Sequence, residues 1–192
     1  MAVAIHNYHD AEGKLPPAAL RGKQGEPLLS WRVLLLPYLG QGDLHHEFHL
    51  DEPWDSEHNI QLLPRMPRVY APFSGKATPA PYTTYYQVIV GPGTAFEEVR
   101  GLRFPDDFPD GTSGTLLIVE ANEAVPWTKP QDLVYEPGGP LPQMGGVWPD
   151  RIQATMVDGW LRSFMKKTVT EQTLKAAITR NGKDGFGPDW QP

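Results

Sequence analysis

Apolar residues at helical spacing open the chain, and alternation typical of strands follows later. In residues 2–12, Ala2, Ile5 and Tyr8 fall on one side of a helix, and Gly13 is placed to end it. Because no capping residue precedes this helix, we interpret residues 2–12 as the end of a longer one.

Prolines divide the rest of the first third into short helices. Ser30 is placed to cap a helix that the proline after Leu36 interrupts, and residues 38–48 are predicted to form the next helix. Asp55 or Ser56 is expected to cap a third helix, which stops at Pro64.

Strand patterns begin after Pro64. Residues 83–91 and 114–121 are rich in β-branched and aromatic residues and are bounded by Gly and Pro. Asp158 and Gly159 predict a two-residue hairpin turn, in which Val157 pairs with Trp160. This register places the following residues on one face: Ile152, Ala154, Met156, Leu161, Ser163 and Met165.

The final element is predicted to be a helix over residues 169–180. Thr168 and Glu171 have the spacing of a capping box, and Asn181 with Gly182 forms the stop. The order of elements predicts one α+β domain over residues 1–192, with the N-terminal helix packed on an antiparallel sheet that includes the hairpin.

Composition agrees with a folded chain that has long loops. The 192 residues include 19 glycines and 21 prolines, concentrated partly in the connections 101–109 and 125–149. The hydrophobic share of 40% is too high for a disordered chain. The net charge of −6 offers no bulk basic surface for nucleic acid, and the chain has no cysteine.

Neither a membrane-spanning stretch nor an export signal is visible in the chain as written.

Three neighbouring histidines raise the question of a metal site. His45, His46 and His49 are close enough for two to share a helix face, as a zinc site requires. The segment HEFH is one residue too short for the H-E-x-x-H pattern. We therefore favour a solvent-exposed helix end and predict no metal, cofactor or catalytic residue.

Two other patterns have structural explanations. The segment DGTSG around Ser113 lacks the second glycine of a G-x-S-x-G nucleophile elbow and precedes a strand, so a turn is favoured. Neither of two acidic clusters fits a calcium loop, and turn and capping roles are preferred for both. Their members are Asp106, Asp107 and Asp110, and Asn181, Asp184 and Asp189.

Tryptophans in the proline-rich loops allow two interpretations. Trp54, Trp127 and Trp148 could stack on a sugar or a peptide if exposed. Alternatively, they pin the loops to the core, which is the interpretation we favour.

Eight segments, distributed along essentially the whole chain, form a recognisable set. These segments are HNYHD (6–10), LPP (15–17), SWRVLLLPYL (30–39), DEPWDSEHN (51–59), VGPGTAF (90–96), DGTSGTLLIVEA (110–121), VPWTKPQDL (125–133) and VDGWLRSF (157–164). Together, and in this order, they resemble the planctomycete proteins grouped as domain of unknown function 1559 (DUF1559).

The resemblance implies a prepilin-like protein. Members of the family usually begin with a prepilin-type signal and a long apolar helix, and end with a His-x9-Asp-Gly motif. Here the signal and most of that helix are absent, and Trp148 occupies the histidine position.

The resemblance favours a non-enzymatic, pilin-like or pseudopilin-like component of the cell envelope. Its implied partners are similar subunits or envelope proteins, and its only membrane contact is the absent part of the first helix. One alternative is an extracytoplasmic binding module that uses its tryptophan-bearing loops. A further alternative is a metal-dependent enzyme built on the three histidines.

Overall fold

The structure is a computed structural model, and it describes residues 1–72, 77–97, 101–183 and 185–190. Within these ranges the α-helices are α1 (Ala2–Glu12), α2 (Trp31–Leu34), α3 (Gly42–Glu47) and α4 (Glu171–Ile178). Short 3₁₀ helices cover Pro37–Leu39, Asn59–Arg65 and Arg68–Tyr70. The strands are β1 (Ala19–Arg21), β2 (Pro27–Ser30), β3 (Thr83–Gln87), β4 (Ile89–Val90), β5 (Leu116–Pro126), β6 (Leu133–Val134), β7 (Arg151–Met156) and β8 (Leu161–Met165).

Helix α1 has the bounds that the sequence predicted. Gly13 adopts the left-handed conformation, with φ of 70°, and its N–H donates to the carbonyl of His9 at 2.7 Å. A glycine is favoured there because other residues meet a steric penalty at positive φ. Ala4 and Ile5 are buried, so this side of the helix faces the core.

The short helices of the first third differ from their predicted bounds. The Ser30 hydroxyl caps α2 by accepting from the N–H of Arg32, as expected. The predicted helix over 38–48 is wrong, because Gly40, with φ of 70°, ends the first 3₁₀ helix before α3 begins. A glycine in the left-handed conformation is a common end of a helix.

Pro64 lies inside the second 3₁₀ helix and does not stop it, contrary to the prediction. A 3₁₀ helix has few bonds to lose, so a residue without an N–H costs little there. The residue that precedes this helix is His58, so neither proposed cap, Asp55 or Ser56, is its N-cap. The Ser56 hydroxyl accepts from the N–H of Asn59, the first residue of the helix, at 3.1 Å.

Helix α4 is shorter than predicted. Its cap is Thr170, whose hydroxyl accepts from the N–H of Thr173, and not Thr168. The helix ends where Thr179 becomes extended, two residues before the predicted stop. The apolar side of α4, formed by Leu174, Ala177 and Ile178, is buried.

The central sheet is antiparallel, with the strand order β3-β5-β7-β8. The predicted strand over 83–91 divides into β3 and β4, and the one over 114–121 extends to Pro126. Two small sheets accompany it: β1 pairs with β2 in antiparallel fashion, and β4 pairs with β6 in parallel.

The β7–β8 hairpin exists, but the predicted register is wrong by one residue. Thr155 pairs with Leu161 and Ile152 with Phe164. The Gly159 N–H donates to the Met156 carbonyl, and Gly159 has a φ of 90°. The loop therefore has three residues, and glycine supplies the left-handed position at its end.

A one-residue slip reverses the faces of β8. Phe164 lies in the core with Ile152, Ala154 and Met156. Leu161 and Met165, predicted to face that core, are exposed to 65% and 44%.

Three buried clusters organise the fold. Ala4 and Ile5 of α1 pack with Leu117 and Ile118 of β5 in the first. Helix α4 packs on β7 and β8 in the second. The third consists of residues between Leu28 and Tyr70 together with Trp127. The predicted α+β class, with an N-terminal helix and an antiparallel sheet, is confirmed.

Candidate functional site

The three candidate histidines do not converge. His45 and His46 are neighbours on α3, whereas the His49 ring stacks on His58, with ring centres 3.6 Å apart. The His49 ring also contacts the Glu52 carboxylate at 2.9 Å. Partial burial, with a smaller effect of His46, lowers the pKa of His45. In the described part of the chain, no group of three histidine, aspartate or glutamate side chains could hold one metal ion.

Members of the acidic clusters serve separate local roles. Asp107 accepts from the N–H of Arg103 at 2.9 Å, and Asp110 accepts from the N–H of Lys183 at 3.1 Å. Asp189 accepts from the Thr170 N–H and from the hydroxyls of Thr170 and Thr173. Asp184 lies outside the described residues.

The DGTSG segment is a turn, as predicted, and it braces the hairpin. Gly111 donates its N–H to the Phe108 carbonyl, and the Thr112 carbonyl accepts from the N–H of Asp158 at 3.1 Å. On its other side the hairpin loop contacts α1, where His6 Nε2 lies 2.8 Å from the Val157 carbonyl. Ser113 is exposed, with a strand after it, so its surroundings are those of a turn.

The loop tryptophans mostly support the pinning interpretation. Trp127 is fully buried, and its Nε1–H donates to the Leu63 carbonyl at 2.9 Å. Trp148 is half-buried. Its Nε1–H donates to Gln153 Oε1, and the Arg151 guanidinium lies over its ring. Trp54 is also half-buried. The exposed tryptophan is Trp160, at 77%, which sequence reasoning did not single out.

A buried ion pair covers one edge of the central sheet at β3. Arg32 and Asp132 meet at 3.1 Å, with side-chain exposures of 0% and 4%. Arg32 donates to the Tyr86 carbonyl through Nε and Nη2, at 3.0 and 2.6 Å. Asp132 accepts from the N–H of Val88 at 2.9 Å. Side chains thus form hydrogen bonds with the polar backbone groups at this end of β3.

Further hydrogen bonds complete the environment of this pair. The Trp31 indole donates to Asp132 at 3.1 Å, and Arg32 Nη1 donates to the Ser30 hydroxyl at 2.6 Å. Tyr70 donates its hydroxyl to the Arg32 carbonyl. Burial lowers the pKa of Arg32 and raises the pKa of Asp132, while each charge opposes the shift of the other. Such a bonded pair has the character of a structural brace.

Strand β8 forms the other edge of the sheet, and its backbone is open at Leu161 and Ser163, whereas the outward Met165 carbonyl accepts from the N–H of Val169 at 2.8 Å. The Met156 N–H donates to the Trp160 carbonyl at 2.8 Å, and the Lys166 N–H donates to the Asp150 carbonyl at 2.9 Å. Even-numbered residues of β8 therefore bond to β7, and odd-numbered ones direct their backbone groups away from it. From the described residues, no backbone hydrogen bond reaches the outward groups of Leu161 and Ser163.

A groove of about 710 Å³ follows this open edge. All five residues of β8 line it, and the opposite wall includes Asp189 and Trp190 of the C-terminal segment. The Arg162 guanidinium lies 3.9 Å from the centre of the Trp190 ring, which stacks on Phe186 at 3.7 Å. This groove is the candidate binding site. Sequence reasoning missed it because the predicted register buried Leu161 and Met165.

Comparison with protein-family models gives one match. Residues 1–74 match the family described as "Protein of unknown function (DUF1559)". The predicted resemblance is confirmed over these residues, the DUF1559 segment, which contains α1 to α3. The planctomycete origin stays a prediction. No curated protein and no solved structure matches this chain.

Several buried groups of the DUF1559 segment form hydrogen bonds with residues beyond it. Trp31 and Arg32 bond to Asp132, and the Ser30 N–H donates to the Thr128 carbonyl at 3.0 Å. Trp127 is the member of the third buried cluster that comes from outside the segment. Among the described helices, none has both the length and the apolar character to cross a membrane.

Proposed function

We propose that this chain is a non-enzymatic structural or assembly subunit of the cell envelope, resembling a type IV pilin or a pseudopilin of type II secretion. Its partners would be similar subunits or other envelope proteins. The net charge of −6 makes nucleic acid an unsuitable partner.

The observation that carries this proposal is the family match over a segment that contains α1, a helix with one buried and one exposed side. Ala4 and Ile5 are buried against the domain, whereas Val3 is 71% exposed. A single exposed valine is ordinary on a protein surface, and Val3 serves here as the position at which contact between α1 and a neighbouring subunit can be tested. The DUF1559 match, which includes the whole of α1, supports the same function through the prepilin-like resemblance.

The local roles of the candidate metal ligands also support a structural function. Asp107, Asp110 and Asp189 accept hydrogen bonds from backbone N–H groups. His49 is engaged by His58 and Glu52. These contacts account for the residues without a reaction.

The test uses the natural gene, with whatever reading frame precedes Met1, expressed in its own host. We expect an upstream prepilin-type signal and apolar helix, and recovery of the protein in the fraction sheared from the cell surface. Val3→Glu should reduce that recovery, whereas Lys23→Glu, an exposed change in the β1–β2 turn, should not.

Both variants should keep the thermal unfolding midpoint of the parent, since each changes an exposed side chain. Recovery of the parent protein only from the cytoplasm would contradict the proposal. Equal behaviour of the two variants would remove α1 as the contact surface.

A second candidate function is a binding module, and the specific observation in its favour is Trp160. This ring is 77% exposed at the hairpin tip, next to the groove that follows β8. Trp160 would replace Trp54, Trp127 and Trp148 as the tryptophan that meets a ligand.

A further inference from the structure

We propose that the open edge of β8 binds an extended, acidic peptide segment of a partner protein, which adds to the central sheet as a further strand. This inference does not depend on the proposed function, because it rests on the sheet edge and its groove alone.

Backbone geometry indicates a peptide rather than a compact ligand. The outward N–H and C=O groups of Leu161 and Ser163 alternate along the strand at the spacing of a β-ladder. An extended backbone matches such a row of donors and acceptors, and strand addition of this type is a common way to bind peptides. The groove of about 710 Å³ provides room beside the whole strand.

The side chains of β8 offer different surfaces to the two faces of an added strand. Leu161 and Met165, exposed to 65% and 44%, lie on one face of the sheet. Arg162 lies on the other face, with its guanidinium held over Trp190. Alternate side chains of a bound peptide would therefore meet an apolar surface and a cation.

Charge selects an acidic partner. Residues 159–170 contain Arg162, Lys166 and Lys167 and no carboxylate, although the chain as a whole has a net charge of −6. Lys166 is fixed at the end of β8, because its Nζ donates to the carbonyls of Gly145 and Trp148. A peptide with Asp or Glu facing Arg162 and Lys167 would gain cross-strand ion pairs.

The carboxylates that border the groove are already engaged. Asp189 accepts three hydrogen bonds from Thr170 and Thr173, and Asp158 accepts from the Trp160 N–H at 3.0 Å. These bonds hold both carboxylates on the walls, where they keep their negative charge, and the three cations of residues 159–170 outnumber them beside β8.

Charge also disfavours a second copy of this chain on the same edge. Antiparallel pairing of β8 with β8 would place Arg162 and Lys166 of one copy beside the same cations of the other. Like charges opposite each other destabilise a strand pair, and lysine on an edge strand commonly prevents such pairing. The same charges admit an acidic strand.

The test begins with a random heptapeptide library displayed on phage and selected on the immobilised full chain. We expect enriched sequences in which Asp or Glu alternates with apolar residues. A synthetic copy of the most enriched peptide is then titrated against the parent chain, Ser163→Pro and Ser163→Ala. We expect Ser163→Pro to weaken binding about tenfold or more, and Ser163→Ala to leave it unchanged.

Ser163→Pro is chosen because the lost N–H points away from β7, so the hairpin ladder stays intact. Arg162→Glu is the second variant, and it should weaken the acidic peptide even if Ser163→Pro fails to fold. Amide exchange provides a direct check, since the peptide should protect the N–H groups of Leu161 and Ser163.

Several results would overturn the proposal. One is enrichment of no peptide, or of neutral and basic peptides that Arg162→Glu still binds as well. Another is equal affinity of the peptide for a folded Ser163→Pro variant and the parent. Self-association of the parent that Ser163→Pro abolishes would assign the edge to a second copy of this chain.

Discussion

Strands β3 and β8 are the two edges of one sheet, and their backbone groups meet opposite environments. At β3, the buried Arg32 side chain donates to the Tyr86 carbonyl, and the buried Asp132 carboxylate accepts from the Val88 N–H. At β8, the outward groups of Leu161 and Ser163 face a groove. Proteins commonly cover their sheet edges or place charged residues on them. In this chain the β3 edge is covered, and the β8 edge carries charged residues.

The difference separates a structural edge from an edge suited to contact. The β3 edge is covered by a buried ion pair. Removing one member of this pair would leave the charge of the other unpaired in the core. The cations on β8 remain at the surface, where they discourage identical strands and leave room for an acidic one. The charged residues of the first edge therefore bear on stability, and those of the second bear on partners.

The largest effect is expected from opening the β3 edge. Asp132→Ala removes the acceptor of Arg32, Trp31 and the Val88 N–H, and leaves the guanidinium buried without its carboxylate. We expect a loss of about 3–5 kcal/mol in the free energy of unfolding, measured by urea denaturation. Asp106→Ala, an exposed control, should change it by less than about 0.5 kcal/mol. Similar values for both variants would mean that the pair does not brace the edge.

Neighbouring proline substitutions sharpen the description of the β8 edge. Arg162→Pro removes an N–H that bonds to β7, so we expect a loss of about 1–3 kcal/mol. Ser163→Pro removes an outward N–H and should cost less than about 1 kcal/mol. Urea denaturation measures both, and Arg162→Ala corrects for the lost contact with Trp190. The reverse order would contradict the assignment of the outward backbone groups to Leu161 and Ser163.

The hairpin turn is expected to show a smaller effect. Gly159→Ala forces a side chain onto a φ of 90°, although its Cβ would meet only His6, at an ordinary 3.7 Å. We expect a loss of about 1–2 kcal/mol from backbone strain alone. Gly42→Ala, at a helical glycine with open space around it, should be neutral or stabilising. Thermal and urea unfolding of the two variants make the comparison.

The smallest effect concerns pH and the C-terminal wall of the β8 groove. Burial tends to raise the pKa of Asp189, but hydrogen bonds from Thr170 and Thr173 outweigh it and hold the pKa below its ordinary range. A depressed carboxyl pKa contributes stability that is complete above the ordinary aspartate range and is lost as the pH falls through the folded value.

Asp189→Asn should therefore lower stability at neutral pH and have a diminishing effect in acid. Unfolding midpoints of parent and variant across a pH series measure the difference. A gap between the two that stays constant down to strongly acidic pH would contradict this assignment.

The sequence allowed some elements to be located and not others. Gly13 and Ser30 were assigned their capping roles correctly, because capping depends on a few adjacent residues. The bounds of α4 and the division of the 38–48 segment were not predicted correctly, because several Thr and Gly residues could serve as caps or stops. The α+β class followed from the order of helical and alternating segments.

The candidate groove was beyond sequence reasoning for a specific reason. Asp158 and Gly159 suit a two-residue or a three-residue loop, and these differ by one residue in register. That single residue decides whether Leu161 and Met165 are core or surface. The choice depends on contacts from distant segments: Thr112 to the Asp158 N–H, Thr115 to the Val157 N–H, and His6 to the Val157 carbonyl.

By itself, the sequence determined the fold class, the helix α1 with its glycine stop, the hairpin's location and the resemblance to DUF1559, because each depends on local pattern or on motif order. Only the tertiary structure decided which sheet edge is closed and which is open. The pairing of Arg32 with Asp132 joins residues 100 positions apart. Strand register and long-range pairing depend on the packed whole, so no local pattern could fix them.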